Sequence, residues 1–482
     1  MYQRIVLFAI ISLALFGCAS NKKPDALKKG LKVSENGRYF TEDGKPFFWL
    51  GDTAWLLFNK TTREQADQFL EDRREKGFNV VQAMVLHTVP SVNIYGDSSL
   101  VNGDISQPAV TPGSDFADST QYDFWDHIDY IVDKAKEKGI YMALVPVWGT
   151  NVKQKKVTPA QAKIYTEFLT NRYKGKSNII WLNGGDIKGS EVKEVWEVIG
   201  NTLRATDPNH LITFHPRGRT ASSDWFHDAK WLDFNMVQSG HRRYDQDTSS
   251  NEQKHYGEDN WKYIEKDYSL KPAKPTIDGE PSYEGIPQGL HNPKEPRWND
   301  ADVRRYGYWS VFAGAFGYTY GDNSVMQFYT STDKKAAYGA TKPWQEALND
   351  PGAGQMQHLK NLMLSRVPAD EAAASTQVNN GYFDRVPDQS IIVGAAGGDG
   401  EKYNRLLATR GKDYIFVYTY NGRNIPLKMG VIEGGQVKAS WFSPRDGKTT
   451  AIGNVDNKGT HEFDAPGDVK DGNDWVLVID KL

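Results

Sequence analysis

Two short stretches of this chain place acidic side chains where hydrolytic chemistry can use them. In Asn178-Ile179-Ile180-Trp181-Leu182-Asn183-Gly184-Gly185-Asp186 an apolar run ends abruptly in polar residues, and Pro275-Thr276-Ile277-Asp278-Gly279-Glu280-Pro281 does the same downstream. β-Branched and aromatic residues mark each run as a buried strand, so Asp186 and Glu280 fall at strand ends. A single acidic residue is usually a solvated loop charge. Two of them, each in a Gly- or Pro-flanked turn that fixes the backbone, form the pair that cleavage of a glycosidic bond requires. One carboxylic acid protonates the leaving oxygen while the other, ~5–5.5 Å away in a retaining enzyme, attacks the anomeric carbon. The acid then needs a raised pKa and the nucleophile must stay ionised. Trp181 and the mutual charge of the pair are expected to raise Asp186, and hydrogen-bond donors to keep Glu280 charged. Glu284 is the alternative nucleophile.

Such a pair works only if the intervening elements bring it together. Phe47–Trp55, Phe78–Leu86, Ile140–Val147, Ile179–Leu182, Leu211–Phe214, Leu232–Val237, Lys274–Glu280 and Tyr318–Asp322 read as strands. Between them lie stretches with helical spacing, such as Tyr122–Lys138, and Thr158-Pro159 places a cap and a first-turn proline before another. Eight alternations in about three hundred residues predict an α/β fold, a (β/α)₈ TIM barrel, with strands four and seven facing across its mouth. A doubly wound sheet is the rival, but Gly51-Asp52-Thr53 lacks the spacing of a phosphate-binding turn. The other strand ends supply candidate substrate contacts: Asp52, Trp55, His87, Trp148, His215, Gln238, His241 and Tyr320. Arg217, Arg219, Arg242 and Arg243 cluster after strands five and six, where a guanidinium could grip a substrate carboxylate. The spacing of His87, His215 and His241 fits no common metal pattern, so neither metal nor cofactor is expected; no phosphate loop or serine nucleophile elbow is visible.

A chain of 482 residues is long enough for a large domain and a smaller one. The barrel is expected over residues 31–374. Beyond it the helical spacing gives way to short alternating runs between glycine turns, predicting an antiparallel β-sandwich over 375–482 that either binds glycan or packs as a cap. A net charge of −3 gives no electrostatic case for nucleic acid, and 14 Trp with 24 Tyr suit either a large core or sugar platforms. At the N-terminus, Arg4 precedes an apolar run too short to span a bilayer, ending in Leu15-Phe16-Gly17-Cys18. This reads as a lipoprotein signal over 1–18, with Cys18, the single cysteine, as the lipidation site and 19–30 as a tether. The protein is therefore expected at a bacterial cell envelope, anchored to a membrane by its acylated cysteine.

The order of these features resembles a known family. Gly44-Lys45-Pro46-Phe47-Phe48-Trp49-Leu50-Gly51-Asp52-Thr53-Ala54-Trp55, with Arg38-Tyr39-Phe40 before it, is similar to the opening of the apiosidase-like glycoside hydrolases (family 140). The two carboxylate motifs and Trp441-Phe442-Ser443-Pro444-Arg445-Asp446-Gly447 match other landmarks of that family. The resemblance implies a (β/α)₈ enzyme with a C-terminal sandwich often labelled collagen-binding. It further implies retaining release of apiose from the pectin rhamnogalacturonan II, with Asp186 as acid/base and Glu280 as nucleophile. One departure stands out: related barrels place a glutamate directly after the strand-four asparagine, whereas here an aspartate comes three residues later. The Gly184-Gly185 insertion is expected to lean the backbone inward to compensate. The alternatives are a barrel glycosidase for another plant polysaccharide and a non-catalytic glycan- or matrix-binding surface lipoprotein.

Overall fold

The computed structural model describes residues 30–155, 157–250, 254–378, 380–394 and 402–482. Cys18 and all of the tether but Gly30 lie outside the described residues. Eight parallel strands form the barrel: β1 (Trp49–Thr53), β2 (Val80–Leu86), β3 (Tyr141–Val147), β4 (Ile179–Ile187), β5 (Ile212–Pro216), β6 (Asn235–Gln238), β7 (Thr276–Asp278) and β8 (Gly317–Tyr320). They pair in sequence order, with β8 beside β1. The seam between β5 and β6 is held by the Asp233 N–H bonding the Ile212 carbonyl (2.8 Å) and the Thr213 hydroxyl bonding the Phe234 carbonyl (2.6 Å). Both β2 and β3 are buried along their whole length, since barrel strands are covered on both faces.

Helices α1 (Arg63–Glu75), α2 (Phe124–Glu137), α3 (Pro159–Tyr173), α4 (Lys193–Thr206), α5 (Asn260–Ser269), α6 (Asp300–Phe312) and α7 (Pro351–Leu364) form the outer layer. Their starts follow local chemistry. The Thr62, Asp123, Thr158 and Asn299 side chains each accept from the backbone of the first turn, with a reciprocal bond three residues on. A three-stranded meander, Leu31–Val33, Phe40–Glu42 and Lys45–Phe47, precedes the barrel. It sets the Phe40 ring 5.1 Å from Phe234 and 4.2 Å from Phe316. Both partners stand at the starts of barrel strands, so the meander closes the barrel at the end opposite the strand C-termini.

The C-terminal unit carries a six-stranded antiparallel sheet whose longer members are β9 (Leu406–Arg410), β10 (Tyr414–Thr419), β11 (Gln436–Phe442), β12 (Thr449–Asp456) and β13 (Trp475–Lys481). A two-stranded ladder, Ile425–Lys428 with Thr460–Phe463, shares its apolar core. The outer face of the sheet packs on α6, where Tyr308 and Tyr418 stack at 4.8 Å.

Candidate active site

Asp186 owes its position to an irregularity in β4. Gly184 pairs with His215 of β5 and Ile187 pairs with the next residue, Pro216. Gly185 and Asp186 are therefore surplus, and the strand bulges. Gly184 (φ 92°), Gly185 (φ 107°) and Asp186 (φ 46°) all lie in the left-handed region. Only the first two can do so without cost. The bulge explains how an aspartate three residues beyond Asn183 reaches the cavity. Asn183 itself is buried, its amide spent on the Trp196 carbonyl (2.8 Å).

Glu280 is positioned from beneath. Gln82 of β2 reaches across the barrel and donates to the Gly279 carbonyl (2.8 Å), while the Glu280 carbonyl accepts from Gly240 N–H (3.1 Å). Asp278 points the other way and ties β7 to its neighbours through the Ser239 hydroxyl (2.6 Å) and the Asn260 amide (3.1 Å). Two histidines meet the Glu280 carboxylate. His241 Nε2 bonds Oε1 at 3.3 Å, and His215 Nε2 stands 3.3 Å from Oε2. On its other side the His215 ring accepts the Asp186 backbone N–H at Nδ1 (3.3 Å). That bond keeps Nδ1 unprotonated and leaves the ring's proton on Nε2, facing Glu280. One imidazole thus links both halves of the carboxylate pair.

The two acids sit in opposite electrical surroundings. Burial and the charge of Glu280 push the Asp186 carboxyl up to about 6. Burial alone would raise Glu280 as well, but the hydrogen bonds of His215 and His241 to its carboxylate outweigh it and hold Glu280 at about 2. Near pH 5 one group is protonated and the other ionised, the division of labour that glycoside hydrolysis needs. Trp181 takes no part: it lies in the helix–strand layer, bonding Asp207 (2.8 Å), and the shift of Asp186 comes from burial and Glu280.

Both carboxylates open into a cavity of about 520 Å³ at the C-terminal mouth of the barrel. Of the other strand-end candidates, Trp55, His87, Trp148, Arg217, Gln238 and His241 line it. His215 is fully buried just behind, with the Trp55 ring 5.2 Å and the Trp148 ring 5.8 Å away. Arg219 and Arg242 join the lining, and Arg219 is fixed by Asp247 at 3.1 Å. Arg243 does not line it; it pairs with Asp245 (2.9 Å) and Glu295 (2.7 Å).

Three further expectations fail on the geometry. Asp52 faces α1, fully buried 3.3 Å from Arg73, and burial pushes its carboxyl up to about 6. Tyr320 spends its hydroxyl on Glu284 (2.7 Å), and Glu284 also accepts from Gly352 N–H (3.3 Å) at the start of α7. Asp52, Tyr320 and Glu284 all lie off the cavity. Successive strand residues alternate between interior and helix layer, and a position at a strand end does not by itself say which side it takes.

The cavity also contains residues that the strand pattern could not reveal. Tyr283, His291, Lys335 and Tyr338 line it from loops, and Lys60 from the end of a one-turn helix, Leu57–Lys60. Tyr283 carried a signal, lying three residues past Glu280 in the same turn; the others have none in their local sequence.

Residues 34–370 match the sequence model of the apiosidase-like catalytic domain. The chain belongs to the apiosidase-like family. Residues 386–480 match a second model, "Putative collagen-binding domain of a collagenase". A solved structure described as a glycoside hydrolase is 46% identical over 94% of this chain and 97% of its own, with a TM-score of 0.85. A Bacteroides vulgatus structure, described as a family 5 glycoside hydrolase, is 45% identical over 94% and 93%, again with a TM-score of 0.85. Another from the same species, at 16% identity and a TM-score of 0.59, shares the fold. No curated protein matches the chain. This apiosidase-like protein is a glycoside hydrolase, built as a barrel with an appended antiparallel sheet domain.

Proposed function

We propose that this apiosidase-like enzyme is a retaining glycosidase that releases apiose from rhamnogalacturonan II, with Asp186 as acid/base and Glu280 as nucleophile. The observation that carries the mechanism is a pair of carboxylates lining one cavity and joined through His215, in surroundings that push one up and the other down. Protonated Asp186 gives its proton to the glycosidic oxygen as Glu280 attacks the anomeric carbon, forming a glycosyl ester and freeing the aglycone. Asp186, now ionised, takes a proton from water, whose oxygen displaces Glu280. His241 Nε2 bonds Oε1 and His215 Nε2 stands 3.3 Å from Oε2, so both carboxylate oxygens face an imidazole as the ester forms.

The apiose assignment rests on the family, and the cavity suits an acidic aglycone. Arg217, Arg219 and Arg242 line it beside Lys60 and Lys335, and a galacturonate would bring a carboxylate to them. Incubation with rhamnogalacturonan II fragments is the test. Free apiose with the wild type and none with Asp186→Asn supports the reading; a wild type that releases none rejects it. Arg217→Ala or Arg242→Ala should then weaken kcat/KM on a uronate-containing substrate about tenfold or more, while leaving a neutral aryl glycoside within about threefold. Equal losses on both substrates would refute carboxylate recognition. The lipid anchor at Cys18 and a cell-envelope location belong to the same proposal, with mass analysis of the mature N-terminus as their test. No helix among the described residues is long and apolar enough to cross a membrane.

A further inference from the structure

The loop after β8 holds Tyr338, like Phe328 (φ 47°) before it, in a conformation that its side chain disfavours. Tyr338 has φ 49° and ψ 30° and is followed by Gly339 at φ 59°. A left-handed backbone strains a non-glycine residue and persists only where its surroundings enforce it. Here they do. Asn323 donates to the Tyr338 carbonyl (3.0 Å), and Arg297 donates to the Gly339 carbonyl (2.7 Å). Gln327 grips the backbone of Ala337 twice, accepting from its N–H and donating to its carbonyl, both at 2.9 Å. Asn323 and Gln327 are themselves buried. Four bonds therefore hold a three-residue turn whose central side chain adds almost nothing to the core.

Tyr338 is 38% exposed, and the one aromatic neighbour of its ring among the described residues is His291, at 6.1 Å. It lines the cavity that contains Asp186 and Glu280. Burial raises the pKa of its phenol, and the charges of Glu280 and Asp186 raise it further, which places the ring within electrostatic reach of both.

We infer that Tyr338 is a sugar-binding residue, its ring held by the pinned left-handed turn so that one face meets the C–H groups of the glycoside lying between Asp186 and Glu280. An aromatic face gives contact area to an apolar sugar face at little entropic cost, and a rigid backbone spares the ordering that a flexible loop would need. The inference rests on Asp186 and Glu280 being the reacting pair, and it holds for whichever sugar they cleave.

The test compares Tyr338→Gly with Tyr338→Phe. Glycine enters the left-handed region freely, so Tyr338→Gly should melt no lower than wild type while KM rises about tenfold and kcat stays within about threefold. Tyr338→Phe keeps the ring and should stay within about threefold of wild type in both constants. A fall of several degrees in Tm for Tyr338→Gly would show a structural residue and overturn the inference. So would an unchanged KM in Tyr338→Gly, or a Tyr338→Phe enzyme as impaired as Tyr338→Gly. Rhamnogalacturonan II fragments are the first substrate. If the wild type releases no apiose, the substrate named above is rejected, and the comparison is read on the aryl glycoside that the wild type turns over fastest. The melting arm needs no substrate.

Discussion

At Glu280 two imidazoles converge on the carboxylate, while Asp186 meets the backbone N–H of Gly218 and the charge of Glu280 itself. The consequence is a pH profile with a worked sign. Activity depends on Glu280 being ionised, which holds above about 2, and on Asp186 keeping its proton, which fails as pH rises through about 6. kcat/KM should therefore fall on the alkaline side of about pH 6, tenfold per pH unit. A profile flat from pH 5 to 8 would contradict the assignment of Asp186. The same shift bears on stability. A carboxyl whose folded pKa lies above its unfolded one stabilises the fold while protonated and loses that contribution as pH climbs to about 6. Asp186→Asn should thus raise Tm more at pH 8 than at pH 4. Glu284 makes the contrast. Its burial pushes it up to about 7, but it bonds Tyr320 and the first turn of α7 and faces no cavity. Glu284→Ala should lower Tm by several degrees and leave kcat within about threefold. A collapse of kcat at unchanged Tm would reinstate it as the nucleophile.

The bulge in β4 is the element on which the site depends. A Cβ on Gly185 would meet the Trp148 ring at 2.7 Å, and one on Gly184 would meet Phe214 at 2.6 Å and the His215 carbonyl at 2.8 Å. Gly185→Ala should therefore displace Asp186 or Trp148 and cut kcat by about a hundredfold or more while the protein stays folded, as circular dichroism would verify. Near-normal turnover would show that the bulge does not set the acid. Much of this element scale was legible in the sequence. Long periodic helices such as α2 and capped ones such as α3 announce themselves, and β2 and β3 are largely apolar runs because both their faces are covered. The extent of β4 was not legible: the run of apolar residues stops at Leu182, yet pairing continues through Ile187. β12 leaves little mark in the sequence, because its residues are nearly all exposed and no alternation betrays it. The meander was missed because its strands are three residues each. Asp52 and Tyr320 were misplaced for a different reason, since their side of the sheet is decided by register, which depends on neighbouring strands.

Across the whole molecule, α6 joins the two domains with consecutive buried arginines. Arg304 grips Asp474 of the sheet domain through Nε (2.9 Å) and Nη2 (3.0 Å). Arg305 bonds Glu258 (2.7 Å) inside a cage of Tyr306, Trp309, Tyr403 and Tyr420, two rings from each domain. The sequence left open whether the second domain binds glycan or packs, and these contacts show extensive packing. Removing one partner of a buried pair strands the other charge and costs about 3–5 kcal/mol. Asp300 still pairs with Arg304 at 2.6 Å, so Asp474→Ala should lose less than that, about 1–3 kcal/mol in denaturant unfolding, and no measurable loss would show the junction to be incidental.

The central claim, that Asp186 and Glu280 are the reacting pair, is tested most directly by the turnover of Glu280→Ala on the glycoside that the wild type cleaves, with and without azide. The account predicts a loss in kcat on the order of 10⁴-fold, substantially restored when azide attacks in place of the missing carboxylate. Turnover within about tenfold of wild type in a folded Glu280→Ala protein would contradict it.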